Sequence, residues 1–176
     1  ISITGTDGKS TTAWILYKLL VSVYWEEEVF LSGNFEIPLS ETVRIIRERK
    51  LTHGYIVLEV SSFMGYWIGK NLHLTKLLPN SLWWKFHSES AIFTNFAPDH
   101  QDWHASMEEY FDAKSNLLIH SKYQLAHTSI QKSALTQSFK IWWKNKNSDW
   151  ENSSLHWYSG ENQEIRGGFD EIICHI

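Results

Sequence analysis

The chain has 176 residues, 43% of them hydrophobic, with a formal net charge of -4 and a sequence pI near 6.1. That length and apolar content allow one domain with a full core, while the acid excess and the lack of any basic patch argue against nucleic acid or an anionic membrane as partner. The lone Cys174 rules out an intrachain disulfide and a cysteine metal cluster and fits a reducing cytoplasm.

The first dozen residues carry the strongest chemical signal. Ile1 to Thr4 reads as a strand, Gly5 to Gly8 as a glycine turn, and Lys9 onward as a helix. Glycines there let successive amide N–H groups point into one concavity, and the helix start adds the positive end of its dipole, so the segment is a phosphate cradle. Lys9 neutralises the outer phosphates, and the Ser10 hydroxyl is placed for the magnesium that accompanies a nucleotide. The first glycine of a Walker A pattern falls on Ile3, so the loop is a shorter variety that runs Thr4, Gly5, Thr6, Asp7, Gly8, Lys9, Ser10, Thr11. A turn that merely joined a strand to a helix would leave Lys9, Ser10, Thr11 and Thr12 unexplained.

The spacing over 11–23 predicts a helix that lays Trp14, Ile15, Leu19 and Leu20 on a sheet. Its apolar run from Ala13 to Tyr24 is broken by Lys18 and is too short to span a bilayer. A short strand at 29–31 ends in Ser32, Gly33 and Asn34, and a second amphipathic helix over 39–50 starts after Pro38 and is broken at His53 and Gly54. Residues 55–60 form a near-continuous apolar run, the pattern of a strand buried on both faces, with the single carboxylate Glu59 near its end. Periodicity is lost over 63–90, which reads as a short helix and an irregular loop; 91–95 is the next strand. Ser106 and Glu109 form a capping signal for a helix over 106–119. Then come a strand at 122–127, a helix at 129–139 and a strand at 141–144. Runs at 154–158 and 163–166 suggest an antiparallel hairpin on the sheet edge.

Strands alternating with helices predict an α/β fold of P-loop NTPase type, a mostly parallel sheet flanked by helices. The chain opens inside a strand and closes on another strand-like run, 171–176, so it reads as one domain, 1–176, of a larger protein. Ten tryptophans are many for this length, and the sequence offers no functional reason for them.

Three polar clusters end predicted strands: residues 5–11, residues 59–62, and Asp99 to Asp102. In a parallel sheet those ends share one edge. A phosphate loop needs an acid from a neighbouring strand to hold magnesium, and Glu59 fits, although it also reads as an exposed strand-end carboxylate. His100 reads as a metal ligand, as a group that positions a reacting atom, or as a histidine in a satisfied turn. The spacing of His100, Asp102 and His104 also raises a zinc site, against which stands the lack of further strong ligands.

These motifs, in this order and spacing, resemble the central ATP-binding domain of the Mur ligases, cytoplasmic bacterial enzymes that add amino acids to the UDP-N-acetylmuramoyl peptidoglycan precursor. The resemblance rests on Ile3 to Thr11, Ser32 to Asn34, Leu58 to Phe63, Thr94 to Tyr110, and Ala113 with Lys114, and it covers residues 1 to about 120. Ser61, Ser62, Phe63, Gly33 and Asn34 resemble most the member that adds D-glutamate to UDP-N-acetylmuramoyl-L-alanine. The resemblance implies an amide-forming ligase in which ATP phosphorylates a substrate carboxylate and an amine then attacks the acyl phosphate. It implies ATP and Mg2+ as cofactors, with Gly5, Thr6, Asp7, Gly8, Lys9, Ser10 and Thr11 around the nucleotide. Ser10 and Glu59 would hold a first magnesium and His100 would help hold a second. Lys114 would be a carbamylated lysine supporting the metals, and Asn34 and Ser61 would face the UDP-sugar substrate. By bare physics Lys114 is an ordinary helix lysine.

Two departures stand out: Asp7 where the family commonly has Asn, and Met64 where it has Gln. The family's flanking N- and C-terminal domains are expected as partners within one enzyme, and the segment alone is expected only to bind nucleotide. A folylpolyglutamate synthetase relative and a generic P-loop kinase or hydrolase are the competing expectations. Glu59, Ser61, Ser62, Asp99 and His100 argue against the kinase.

Overall fold

In the computed structural model, which describes residues 1–75, 86–119, 121–127, 130 and 154–158, strand β1 (Ser2–Thr4) lies inside a six-stranded sheet. The other strands are β2 (Val29–Gly33), β3 (Tyr55–Glu59), β4 (Ser88–Phe93), β5 (Ser121–His127) and β6 (Ser154–Tyr158). Their order is β2-β3-β1-β4-β5-β6, and every pairing is parallel. The expected α/β architecture is therefore the observed one. From β1 the chain steps out to β2, returns to β3, then passes β1 to reach β4. The strand order reverses beside β1, and in open α/β sheets ligands bind in the crevice at the carboxyl ends of the strands there. Register brings those ends level: Ile3 lies opposite Glu59 and Ile92, and Gly33 opposite Glu59.

Period-two alternation with a core on each face explains why β3 is apolar up to Glu59. Ile56, Leu58 and the following Val60 join the core under α3 (Ser62–Thr75) and α4 (Met107–Ile119), whereas Tyr55 and Val57 join the core under α1 (Lys9–Val23). Phe93 and Leu117 are fully buried in the first core. Each such side chain contributes about 1.5–3 kcal/mol. Helix α2 (Leu39–Arg49) sends Leu39 to the same core.

The expected face of α1 is rotated. Of the expected face Leu20 is buried, but Trp14, Ile15 and Leu19 are 47%, 52% and 59% exposed, and the helix buries Ala13 instead, with Leu16, Tyr17 and Val21 packed beside it. The reason is that α1 is apolar around most of its circumference, so periodicity alone does not fix its phase; the phosphate loop that leads into it does. Small Ala13 is fully buried in the core that α1 forms with the sheet.

Two boundaries also differ. Helix α3 runs to Thr75, longer than the short helix expected, and β4 starts at Ser88, three residues before position 91. Polar Ser88 and Ser90 are buried in β4, which is why the strand's first half does not read as one. Strand β6 takes the expected edge position but pairs with β5 in parallel. Its expected hairpin partner at 163–166, the strand at 141–144 and the helix at 129–139, apart from Ile130, lie outside the described residues. Among the described residues no helix is long and apolar enough to cross a membrane.

Candidate active site

The phosphate loop leaves the buried end of β1 and is pinned there by the chain that follows β4. Thr6 N–H donates to Asn95 O at 3.1 Å, and Thr94 N–H donates to Thr4 O at 2.9 Å. The Asn95 carboxamide takes both polar groups of residue 7, accepting from Asp7 N–H at 2.8 Å and donating to Asp7 O at 3.1 Å. Thr94 Oγ1 donates to Asp7 O at 2.7 Å. Thr6 Oγ1 donates to Ala97 O at 3.1 Å, accepts from Ala97 N–H at 3.0 Å, and lies 3.2 Å from the Tyr110 hydroxyl. The approach is so close that a Cβ on Gly5, at φ 148°, would stand 1.9 Å from Thr94 Oγ1. Only glycine fits.

Gly8, at φ 76°, is the N-cap of α1, and Thr12 N–H closes the first turn onto its carbonyl. Lys9 Nζ folds back to donate to Thr6 O at 2.7 Å. Ser10 is half-buried in the first turn, and Asp7, Gly8 and Thr11 are exposed.

Glu59 is buried, 2% exposed, at the end of β3. Its Oε1 accepts from Asn34 Nδ2 at 3.4 Å, and its Oε2 has no hydrogen-bond partner. A buried carboxylate oxygen left unpartnered is costly unless a cation or donor meets it, so its chemistry fits a divalent metal. Asn34 N–H also donates to Glu59 O at 3.0 Å, and a Cβ on Gly33, at φ 113°, would meet that carbonyl at 2.1 Å. Asn34 is therefore placed to orient Glu59. The Ser61 hydroxyl accepts from Met64 N–H at 3.2 Å and so caps α3. Its own hydrogen stays available to a ligand.

His100 has a left-handed backbone, φ 51°, and an exposed ring that packs on Phe63 at 4.9 Å between centroids. Asp99 holds it: His100 N–H donates to Asp99 Oδ1 at 2.8 Å, and Nε2 lies 3.4 Å from Asp99 Oδ2. His104 turns inward instead, 3% exposed and stacked on Phe63, and burial holds it below its ordinary pKa against the pull of Glu109. Among the described residues no three His, Cys, Asp or Glu side chains gather as a metal set, which leaves the zinc alternative without a site. Asp99 and His100 thus stand beside the phosphate loop, tied to it through residues 94–97.

Lys114 is the least expected feature. The capping signal works as read: Glu109 N–H donates to Ser106 Oγ at 3.2 Å, and Glu109 Oε2 accepts from Ala105 N–H at 2.7 Å. From that start α4 carries Lys114 inward until it is 1% exposed, with Nζ over the Tyr110 ring and donating to Gly5 O at 2.5 Å. Burial, and secondly the charge of Lys9, push its ammonium down to about 7, against the opposing carboxylates of Asp99 and Asp7. The amine therefore reaches its neutral, nucleophilic form near neutral pH.

The structure thus gathers the phosphate loop, Glu59, His100 and Lys114 at one end of the sheet. Asn95, Thr94 and Tyr110 hold the loop but carry no chemical signal in the sequence. An apolar cavity of about 350 Å³ between α1 and β4–β5, lined by Ile1, Leu16 and Leu125 among others, lies towards the opposite end of β1 and is no part of this site.

Residues 3–164 match the family model of the Mur ligase middle domain. That match runs well past residue 120, where the legible motifs stop. The chain is 40% identical over 114 residues to UDP-N-acetylmuramoylalanine--D-glutamate ligase of Aquifex aeolicus, 65% of this chain and 22% of that protein. It is 34% identical to the ligase of that name from Petrotoga mobilis over 119 residues, 68% of this chain and 22% of that one. Against the Acetivibrio thermocellus protein of that name it is 35% identical over 125 residues, 71% of this chain and 22% of the relative.

Proposed function

The chain belongs to the Mur ligase middle-domain family, and from that premise we propose that it is the ATP-binding segment of a ligase that joins an amino acid to a UDP-N-acetylmuramoyl precursor. The names of its relatives point to D-glutamate as the amino acid and to UDP-N-acetylmuramoyl-L-alanine as the acceptor. Because the chain spans 22% of the length of those relatives, the remaining substrate groups belong to flanking domains of the same enzyme, working in the cytoplasm.

The reaction has two steps. A carboxylate oxygen of the precursor attacks the γ-phosphorus of ATP and ADP leaves; the amine nitrogen then attacks the acyl carbon, phosphate leaves, and the amine's proton passes to a base. Gly5, Thr6, Asp7, Gly8, Ser10 and Thr11 surround the phosphates, and Lys9 swings from Thr6 O onto them. Ser10, Glu59 and His100 are the groups that would hold Mg2+, which when bound supplies charge stabilisation for the transferring phosphoryl group. Asn34 keeps Glu59 aimed, and together with Ser61 it borders the precursor. The observation that carries the reading is the buried amine of Lys114 on Gly5 O. A neutral amine is the form that adds carbon dioxide, its nitrogen bonding to the carbon and giving up one proton to solvent or a nearby base, which turns a lysine into an anionic oxygen donor.

The test is calorimetric titration of Mg-ATP into the full-length protein and its Lys9→Ala variant. Loss of charge-assisted phosphate contacts worth roughly 1.5–3 kcal/mol each predicts at least about tenfold weaker binding. Equal affinities would overturn the reading.

A further inference from the structure

The hydrogen bonds between residues 4–7 and 94–97 form a latch, and we propose that Asn95 is a positioning residue that sets the shape of the phosphate loop through the backbone of Asp7. The proposal rests on the nucleotide-binding role inferred above and names a residue that role did not require. A carboxamide accepts from a peptide N–H through its oxygen and donates to the carbonyl of the same residue through its nitrogen, and Asn95 does both at Asp7. The loop has no strand neighbour at this point. The Asn95 side chain substitutes for one, and its own main-chain carbonyl takes Thr6 N–H one step earlier.

Three features tie the latch to ligand handling rather than to the core. Asp7 is exposed and adds no apolar burial, so the bonds to its backbone fix geometry more than they stabilise the fold. The latch spans the interval between Thr94 and Ala97, and Asp99 and His100 follow two and three residues later, which ties the histidine's segment to the loop. Gly5, which a Cβ would drive into Thr94 Oγ1, also offers its carbonyl to Lys114. A change at Asn95 therefore reaches the cradle first, and the buried lysine only through it.

Asn95→Asp isolates the donor half of the latch. It keeps the shape and the acceptor for Asp7 N–H, but above the ordinary carboxylate range it sets an anionic oxygen against Asp7 O. In full-length enzyme at about pH 8 we expect Mg-ATP affinity to fall about tenfold or more, and KM for ATP to rise while kcat and the KM for the other substrates move far less. Asn95→Leu, which removes both bonds without adding a charge, should weaken Mg-ATP binding to a similar degree, which separates loss of the latch from repulsion between the new carboxylate and the phosphates. Wild-type affinity in either variant overturns the proposal. Should Asn95→Asp fail to fold, Thr94→Val provides the reading: several-fold weaker ATP binding, restored by Thr94→Ser, supports the latch, and unchanged binding overturns it. Lys9→Ala measured alongside separates the layers. Undiminished binding there overturns the nucleotide reading and the latch with it; a loss there with wild-type binding in Asn95→Asp overturns the latch alone.

Discussion

The loop after β1 and the middle of α4 each carry a lysine, and the two amines live in opposite surroundings. Lys9 is half-buried at a helix start and reaches back to Thr6 O, a contact it can exchange for a phosphate. Lys114 is sealed under Tyr110 and against Gly5 O, with its ammonium pushed down to about 7. One amine is partly open to solvent, and the other is shut away from it. The chemistry of a lysine is set by its solvation, and the two tasks call for solvation of opposite kinds.

The largest expected effect breaks the comparison at its buried end. Lys114→Ala in the full-length enzyme should lower ligation by about three orders of magnitude or more, the scale of removing a metal-supporting oxygen donor from a phosphoryl-transfer site. Added bicarbonate cannot act on alanine, but a short carboxylic acid can occupy the space and should restore part of the rate. Steady-state ligation assays with and without acetate decide it. Ligation at the normal rate would exclude the carbamate role, as would a dead variant with unchanged unfolding curves that acetate leaves dead.

A smaller effect appears in stability. The folded state holds Lys114 at about 7 and the unfolded chain at the ordinary 10.5, so between those values the unfolded state binds more protons and stability rises with pH. The cost of burying the amine is fully present below about pH 7 and gone above about pH 10.5. The slope has a ceiling of about 1.4 kcal/mol per pH unit. Urea unfolding of the wild type at about pH 7 and pH 9, in buffers purged of carbon dioxide, should therefore show a gain that Lys114→Met lacks. Lys9→Met should retain the gain. A slope identical in all three proteins would place the Lys114 amine in water.

The contrast also explains what was legible. Lys9 announces itself because a glycine turn, a lysine and two hydroxyls in sequence have few other uses, and the loop's function is carried by neighbours in the chain. Lys114 is silent because the carbonyl that receives it, that of Gly5, lies 109 positions away, and the Tyr110 ring one turn before it reads as an ordinary core aromatic. Only the resemblance to a family marked it. Asn95 and Thr94 are silent in the same way: each reads as the polar end of a strand, and the bonds that matter span 87 or 88 positions. The strand pattern, the capping signal at Ser106 and the α/β class were readable from local rules. The phase of α1 was not, since a helix apolar on most sides gives no preferred face until a loop and a sheet choose one.

The smallest effect expected lies between the two lysines. Asp7 carries a carboxylate where the family commonly has a neutral amide, close enough that its charge opposes the lowering of the Lys114 pKa. The backbone of residue 7 is held by Asn95 and Thr94 and its side chain is exposed, so Asp7→Asn should leave the loop's geometry alone and change only the charge. Two consequences follow, and for ATP affinity the second offsets part of the first. Phosphates lose a repulsive neighbour, and the Lys114 amine loses a carboxylate that favoured its protonation. Water screens an exposed charge, so the gain is modest, about two- to fivefold in ATP affinity, and it should shrink further as salt shortens the Debye length below about 10 Å. Calorimetric titration of both proteins at two salt concentrations measures it. Weaker ATP binding in Asp7→Asn would mean that the carboxylate serves the site directly, and Asp7 would then join Lys9 among the groups that the nucleotide needs.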